Sequence, residues 1–258
     1  RRRTGAAVAG GAVTALPDRC ANCRCGDDPA PPGARSAAIV AHGQPGDPAP
    51  LQADLDDFAA RVGAHLPGWD IRGATLACPR SLARLRGIAR IYPLFMADGW
   101  FVRSEMPRRL GAAGVDGYAT LPPLGLDPGL PALALALALD SAAAAGIDAA
   151  QATLVVAGHG SRRARASAAS TRAAADALAD AGRFAAVIPA FIEEAPFLAD
   201  LRLVPPAICL PFFATRAGHT TQDIPDAWAA AGTPGPLTVP LGTVPAVAAL
   251  VADAIRRA

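Results

Sequence analysis

Two histidines and two adjacent acids hold the chemistry most plainly. His159 closes the apolar run "TLVVAGHGS" (153–161), Glu193 and Glu194 close "FIEEAP" (191–196), and His219 lies in "PFFATRAGHTTQDIP" (211–225). Imidazole and carboxylate together suit a divalent metal with open coordination positions. The same groups accept protons near neutral pH. Arg162, Arg163 and Arg165 follow His159, and Arg216 precedes His219 by three residues. At the start of a helix such arginines can receive carboxylates through bidentate pairs, aided by the helix dipole. Each group also has a purely structural reading. The glutamates suit the first turn of a following helix, and the arginines suit a solvated helix start in a chain whose 24 basic residues are all Arg.

The elements that must position these residues follow from an internal repeat. "SAAIVAHGQ" (36–44) resembles "TLVVAGHGS", with His42 and His159 117 positions apart. At that offset Pro79 meets Pro196, and the "PLG" at 123–125 meets the "PLG" at 240–242. At an offset of 118, "PLFMADGWFVRSEMP" (93–107) meets "PFFATRAGHTTQDIP". Two homologous halves, 36–147 and 151–258, are expected behind an extension over 1–35. That extension reads as disordered from its Pro-rich "DDPAPPGARS".

Each half alternates short apolar strands with helices. In the second half strands are expected at "ATLVVAG", "FAAVIPAFI", "PAICLPFF" and "GPLTVPL". Helices are expected over 166–181, 195–203, 220–231 and 244–257. In the first half Leu51, Leu55, Phe58, Val62 and Leu66 form one helical face. "ALALALAL" (132–139) is read as helix because Leu and Ala are strong helix formers. Nearly all-apolar strands alternating with helices mean parallel sheets covered on both faces. The expected fold is α/β: two tandem flavodoxin-like halves, each a four-stranded parallel sheet, with a cleft between them. Ligands bind such sheets at the carboxyl ends of the strands, where three successive strands of the second half deliver His159, the glutamates and His219.

The first half is an internal control. It keeps His42, but Leu76 takes the place of Glu193, Ala77 that of Glu194 and Phe101 that of His219. The second half is therefore the chemical one, and the first is its wall or lid.

Composition narrows the function classes. A net charge of +2 with no concentrated basic stripe excludes a dedicated nucleic-acid binder. The most apolar stretch, Leu130 to Leu139, is interrupted by Asp140 and is too short to span a membrane. The basic start followed by Ala and Gly makes a poor signal peptide, so a cytoplasmic protein is expected. Cys78 and Cys209 read as buried thiols. Cys20, Cys23 and Cys25 in "CANCRC" could ligate a metal or an iron–sulfur centre, but lack a fourth ligand.

On "GHGSR" (158–162), "FIEEAP", "PFFATRAGHTTQDIP" and "PLG" (240–242), the chain resembles the class II tetrapyrrole chelatases, the sirohydrochlorin cobalto- and ferrochelatases of the CbiX/SirB type. The resemblance covers roughly 36–258. It implies a metal-inserting lyase acting on sirohydrochlorin, in siroheme or cobalamin biosynthesis. His159 and His219 would bind the entering Fe2+ or Co2+ and take pyrrole protons, assisted by Glu193, with Glu194 a further candidate ligand. Arg162, Arg163, Arg165 and Arg216 would receive the carboxylates of the macrocycle. No organic cofactor is implied, and a monomer suffices because the two halves form the cleft. Familiar two-repeat members carry the histidine pair in the N-terminal half, whereas here it is C-terminal. Two rival readings stand beside this one. A non-catalytic tetrapyrrole- or metal-binding protein on a chelatase scaffold is argued against by the intact second-half site. A phosphohydrolase with a histidine nucleophile is argued against by Ala41 and Gly158, which precede the histidines where that chemistry wants Arg.

Overall fold

The computed structural model describes residues 32–161, 165–216, 219–232 and 235–258, with only the backbone of His219. Cys20, Cys23, Cys25 and most of the expected extension lie outside the described residues, as do Arg162 and Arg163. A four-stranded parallel sheet in the order β2-β1-β3-β4 comprises β1 (Ser36–Ala41), β2 (Asp70–Thr75), β3 (Arg90–Pro93) and β4 (Ala119–Thr120). A three-stranded parallel sheet, β6-β5-β7, comprises β5 (Thr153–Gly158), β6 (Ala186–Phe191) and β7 (Ala207–Pro211). Every residue of β1 and β7 is buried, as strands covered on both faces require. The helices are α1 (Pro48–Ala64), α2 (Pro79–Ala83), α3 (Met106–Ala112), α4 (Leu130–Ala144), α5 (Arg165–Asp180), α6 (Ile224–Ala230) and α7 (Val247–Arg257).

Two expectations need correction. The fourth strand of the second half is reduced to one bridge, Cys209 to Leu237. Pro236 and Pro240 flank it, and a residue without an N–H cannot extend a ladder. The helix expected over 195–203 is only a short tight turn, Leu198–Asp200. Its segment is too short to hold a helix before the next strand.

The halves of the sequence are not separate packing units, because each gives its last helix to the other. α4 lies on α5 and β7, while α7 lies on α1 and β3. The "ALALALAL" segment buries Leu130, Ala134, Ala138 and Ala142, a four-residue spacing that puts small side chains on the contact face. α7 buries Val247, Val251 and Ile255 in a core that also contains Ile39 and Leu55 from the first half and Leu154 and Ile208 from the second. Arg256 donates to the carbonyl of His65 at 2.7 Å, and Arg257 lies 3.8 Å from Asp127. His65 is the exposed C-cap of α1, and its backbone carbonyl ties that helix end to α7.

The repeated "PLG" has a physical cause. Gly125 donates its N–H to the Phe95 carbonyl at 3.0 Å, and Gly242 donates to that of Phe213 at 2.8 Å. A Cβ at Gly125 would stand 1.9 Å from the Met96 carbonyl oxygen; at Gly242, 2.2 Å from that of Ala214. Only glycine lets the returning loop pass under the segment that follows β3 or β7. This loop fixes the residues that leave the sheet toward the cleft.

Candidate active site

β5 ends at Gly158, and His159 is the first residue beyond it. The ring Nδ1 of His159 lies 2.9 Å from the Gly160 carbonyl oxygen. A carbonyl only accepts, so Nδ1 carries the proton and Nε2 is the nitrogen with the lone pair. Nε2 stands 3.9 Å from Glu193 Oε1, and both side chains are part-exposed. The backbone reinforces the pairing, because the Glu193 N–H donates to the His159 carbonyl at 3.0 Å. Gly160 turns the chain with φ 70°, and a Cβ there would lie 2.7 Å from Glu194 Cγ. Glu194 serves a different purpose from Glu193. Its Oε2 accepts the Ser161 N–H at 2.9 Å, and its Oε1 pairs with Arg172 Nη2 at 3.0 Å. Arg172 in turn covers the Phe191 ring at 4.8 Å.

The first half repeats the turn without its acids. His42 Nδ1 lies 2.6 Å from the Gly43 carbonyl oxygen, and Gly43 has φ 74°. Its ring meets that of Phe101 in a T-shaped contact, with centroids 4.4 Å apart and planes at 79°. Phe101 opens a π-helical turn, Phe101–Glu105, and His219 opens another, His219–Asp223. The shared turn supports the pairing of these two residues, and such turns are frequent at functional sites.

The matching of Leu76 with Glu193 is corrected by the sheet register. Leu76 donates its N–H to Ala41, the end of β1, and Ile192 donates to Gly158, the end of β5. Leu76 therefore corresponds to Ile192. Gly43 abuts Thr75 and Ala77, while Gly160 abuts Phe191 and Glu194. One residue separates the first pair and two separate the second. Glu193 is the additional residue, with no counterpart in the first half.

A cavity of about 440 Å³ lies between the walls, with His42 and His159 both on its lining. Phe95, Trp100, Phe101 and Phe213 make it largely aromatic, and Ser161 and Ser167 are among its polar members. An adjoining cavity of about 330 Å³ shares Leu94, Ala214 and Thr215 with it and contains Arg216 and Arg61. Arg216 is thus beside the histidine cavity, and Arg165 is exposed at the start of α5. Arg103 is bound to Asp98 at 2.8 Å. Among the described residues no three metal-binding side chains are gathered. His159 and Glu193 are brought together, and the backbone of His219 lies where the third strand's loop enters its π-helical turn.

The sequence reading missed the aromatic lining and the Ser161–Glu194–Arg172 chain. The first had a visible signal in "LFMADGWF", next to a repeat anchor. The second had none, because it joins residues distant in sequence through side-chain geometry. Cys78 and Cys209 are buried thiols as expected. Burial pushes the Cys209 thiol well above its usual range, which makes it inert.

A family model described as CbiX matches residues 153–258. Among solved structures, CbiX, described as the terminal enzyme for biosynthesis of siroheme in denitrifying bacteria, is 51% identical with a TM-score of 0.82. The match covers 87% of this chain and 99% of that one. A multi-domain protein of Deinococcus radiodurans, described as structurally similar to chelatases, is 25% identical with a TM-score of 0.65, over 86% of this chain and 55% of that one. SirB from Bacillus subtilis with Fe3+ shares the fold at 15% identity and a TM-score of 0.68, over 86% of this chain and 94% of that one. No curated protein matches the chain significantly.

Proposed function

We propose that this chain, which belongs to the CbiX family of class II chelatases, inserts a divalent metal ion into sirohydrochlorin. The observation that carries the proposal is the His159–Glu193 pair just past the ends of β5 and β6, 3.9 Å apart, with His159 on the lining of a cavity that contains several aromatic rings. The 51% identical relative is described as the terminal enzyme of siroheme biosynthesis, so Fe2+ is the expected ion and Co2+ its competitor.

The chemistry makes two demands. An incoming M2+ ion must be held weakly enough to be given up, and two pyrrole N–H protons must leave as four nitrogens replace the protein ligands. His159 meets both. Its Nδ1–H is fixed on Gly160, so Nε2 faces the site as a ligand or a base. Glu193 adds a carboxylate that steadies a cation and can take a proton. His219 is assigned as the partner imidazole. Glu194 is assigned a positioning role, holding the His159–Ser161 turn rather than the metal. Arg162, Arg163, Arg165 and Arg216 are assigned to the peripheral carboxylates of the macrocycle. The reaction needs no organic cofactor, and both walls of the cleft come from one chain. A cytoplasmic location fits this role, and no helix among the described residues is long and apolar enough to cross a membrane.

Anaerobic incubation of the protein with sirohydrochlorin and Fe2+ or Co2+, followed by absorbance, tests the reading. Metallation well above the spontaneous rate is expected. Tight binding of sirohydrochlorin without any acceleration would instead make the protein a carrier.

A further inference from the structure

We propose that Trp100 and Phe101 form a platform in which the Trp100 ring stacks on one face of the macrocycle and Phe101, at 69° to it, supports that ring from the side, leaving the opposite face open to metal from His159. This deepens the functional reading above and rests on it.

Trp100 is 57% exposed and Phe101 37% exposed. Among the described residues these are the exposed large hydrophobics that are aromatic; Leu126, Val204 and Val239 are also exposed, but none of them lines this cavity. Two adjacent aromatic rings left in water at the edge of a cleft lose a favourable burial that a flat apolar ligand would restore. The rings are held in place. Trp100 meets Phe101 at 5.0 Å and 69°, and Phe95 stacks near-parallel on Phe101 at 6.2 Å and 17°. His42 packs on the Phe101 ring in a T-shaped contact. The backbone before them is braced on α5, where the Ser170 hydroxyl donates to the Met96 carbonyl and Gly99 lies against Ala166.

The occupant is identified by what this wall offers and withholds. The described cavity lining has no Asp, Glu, Arg or Lys. A neutral, flat π-system can enter, while acidic substituents must remain at the mouth. A tetrapyrrole core with peripheral carboxylates has that division. Phe101 occupies the π-turn position that His219 occupies in the second half. Its ring cannot bind a metal, so the platform offers stacking without ligation. His42 is engaged with that ring and with Gly43, which makes it a buttress of the platform.

The test is an anaerobic titration of metal-free sirohydrochlorin, read by its own absorbance and fluorescence, against wild type, Trp100→Ala and Trp100→Phe. Trp100→Ala should weaken binding about tenfold, the scale of one aromatic contact. Trp100→Phe should recover most of that loss. In turnover the change should fall on KM rather than kcat, and Co2+ binding in the absence of tetrapyrrole should be unaltered. Undiminished sirohydrochlorin binding by a folded Trp100→Ala would overturn the platform while leaving the chelatase reading intact. Failure of wild type to bind sirohydrochlorin at all would overturn the chelatase reading, and the platform with it.

Discussion

The two halves share a turn and differ in what surrounds it. In each, a buried strand ends at a histidine whose Nδ1 lies against the carbonyl of a left-handed glycine. In each, a π-helical turn begins 59 or 60 residues later, counted from His42 to Phe101 and from His159 to His219. The first half places an aromatic ring at that turn and packs it on His42. The second half places a histidine there and adds one residue, Glu193, just past the end of the edge strand β6. The comparison teaches that the His–Gly turn belongs to the architecture, and that the added Glu193, Glu194 in place of Ala77 and His219 in place of Phe101 are what set the proposed reactive half apart from its partner.

That contrast can be broken from either side. The largest effect is expected from His159→Ala, which should lower metal insertion at least about a hundredfold while sirohydrochlorin still binds; steady-state rates and a binding titration check both parts. His42→Ala should stay within a few-fold of wild type. Glu193→Gln keeps the shape of the added residue but removes its charge, and should cost roughly tenfold to a hundredfold in insertion rate. Glu194→Gln and Arg172→Ala should each cost up to about tenfold. Combined, they should cost little more than either alone, since both loosen the same Ser161 turn; a double-mutant cycle measures this.

The smallest effect concerns the stability of the wall. Glu105 is buried, and Arg108 and then Arg109 hold its carboxyl down to about 2 from 4.5. A carboxyl lowered on folding stabilises the fold above pH 4.5 and loses that contribution as pH falls toward 2. Glu105→Gln should therefore melt lower than wild type at pH 7, with the gap closing on acidification. Thermal melts across that range check the sign.

Much of this was legible in the sequence because it was written twice. Matching strands, the "PLG" loops and the paired histidines exposed the α/β repeat; hydrophobic spacing found α1 and α7, and an Ala-rich run found α5, within a few residues. The exchange of α4 and α7 was not legible, since an apolar helix face does not state which sheet it covers. The one-residue offset at Glu193 was also hidden. Sequence matching on Pro79 and Pro196 spans the insertion, whereas the Leu76 and Ile192 hydrogen bonds reveal it. Pro236 and Pro240 flagged the weak fourth strand, and weighing them would have corrected the strand count.

The most direct test of the central claim is where a metal binds. Anaerobic Co2+ titration of wild type, His42→Ala and His159→Ala, followed by visible absorption of the bound ion, separates the two turns. The account predicts that His42→Ala binds Co2+ as wild type does and that His159→Ala loses the bound-ion bands. Loss of those bands in His42→Ala with retention in His159→Ala would place the chemistry in the wrong half and contradict it.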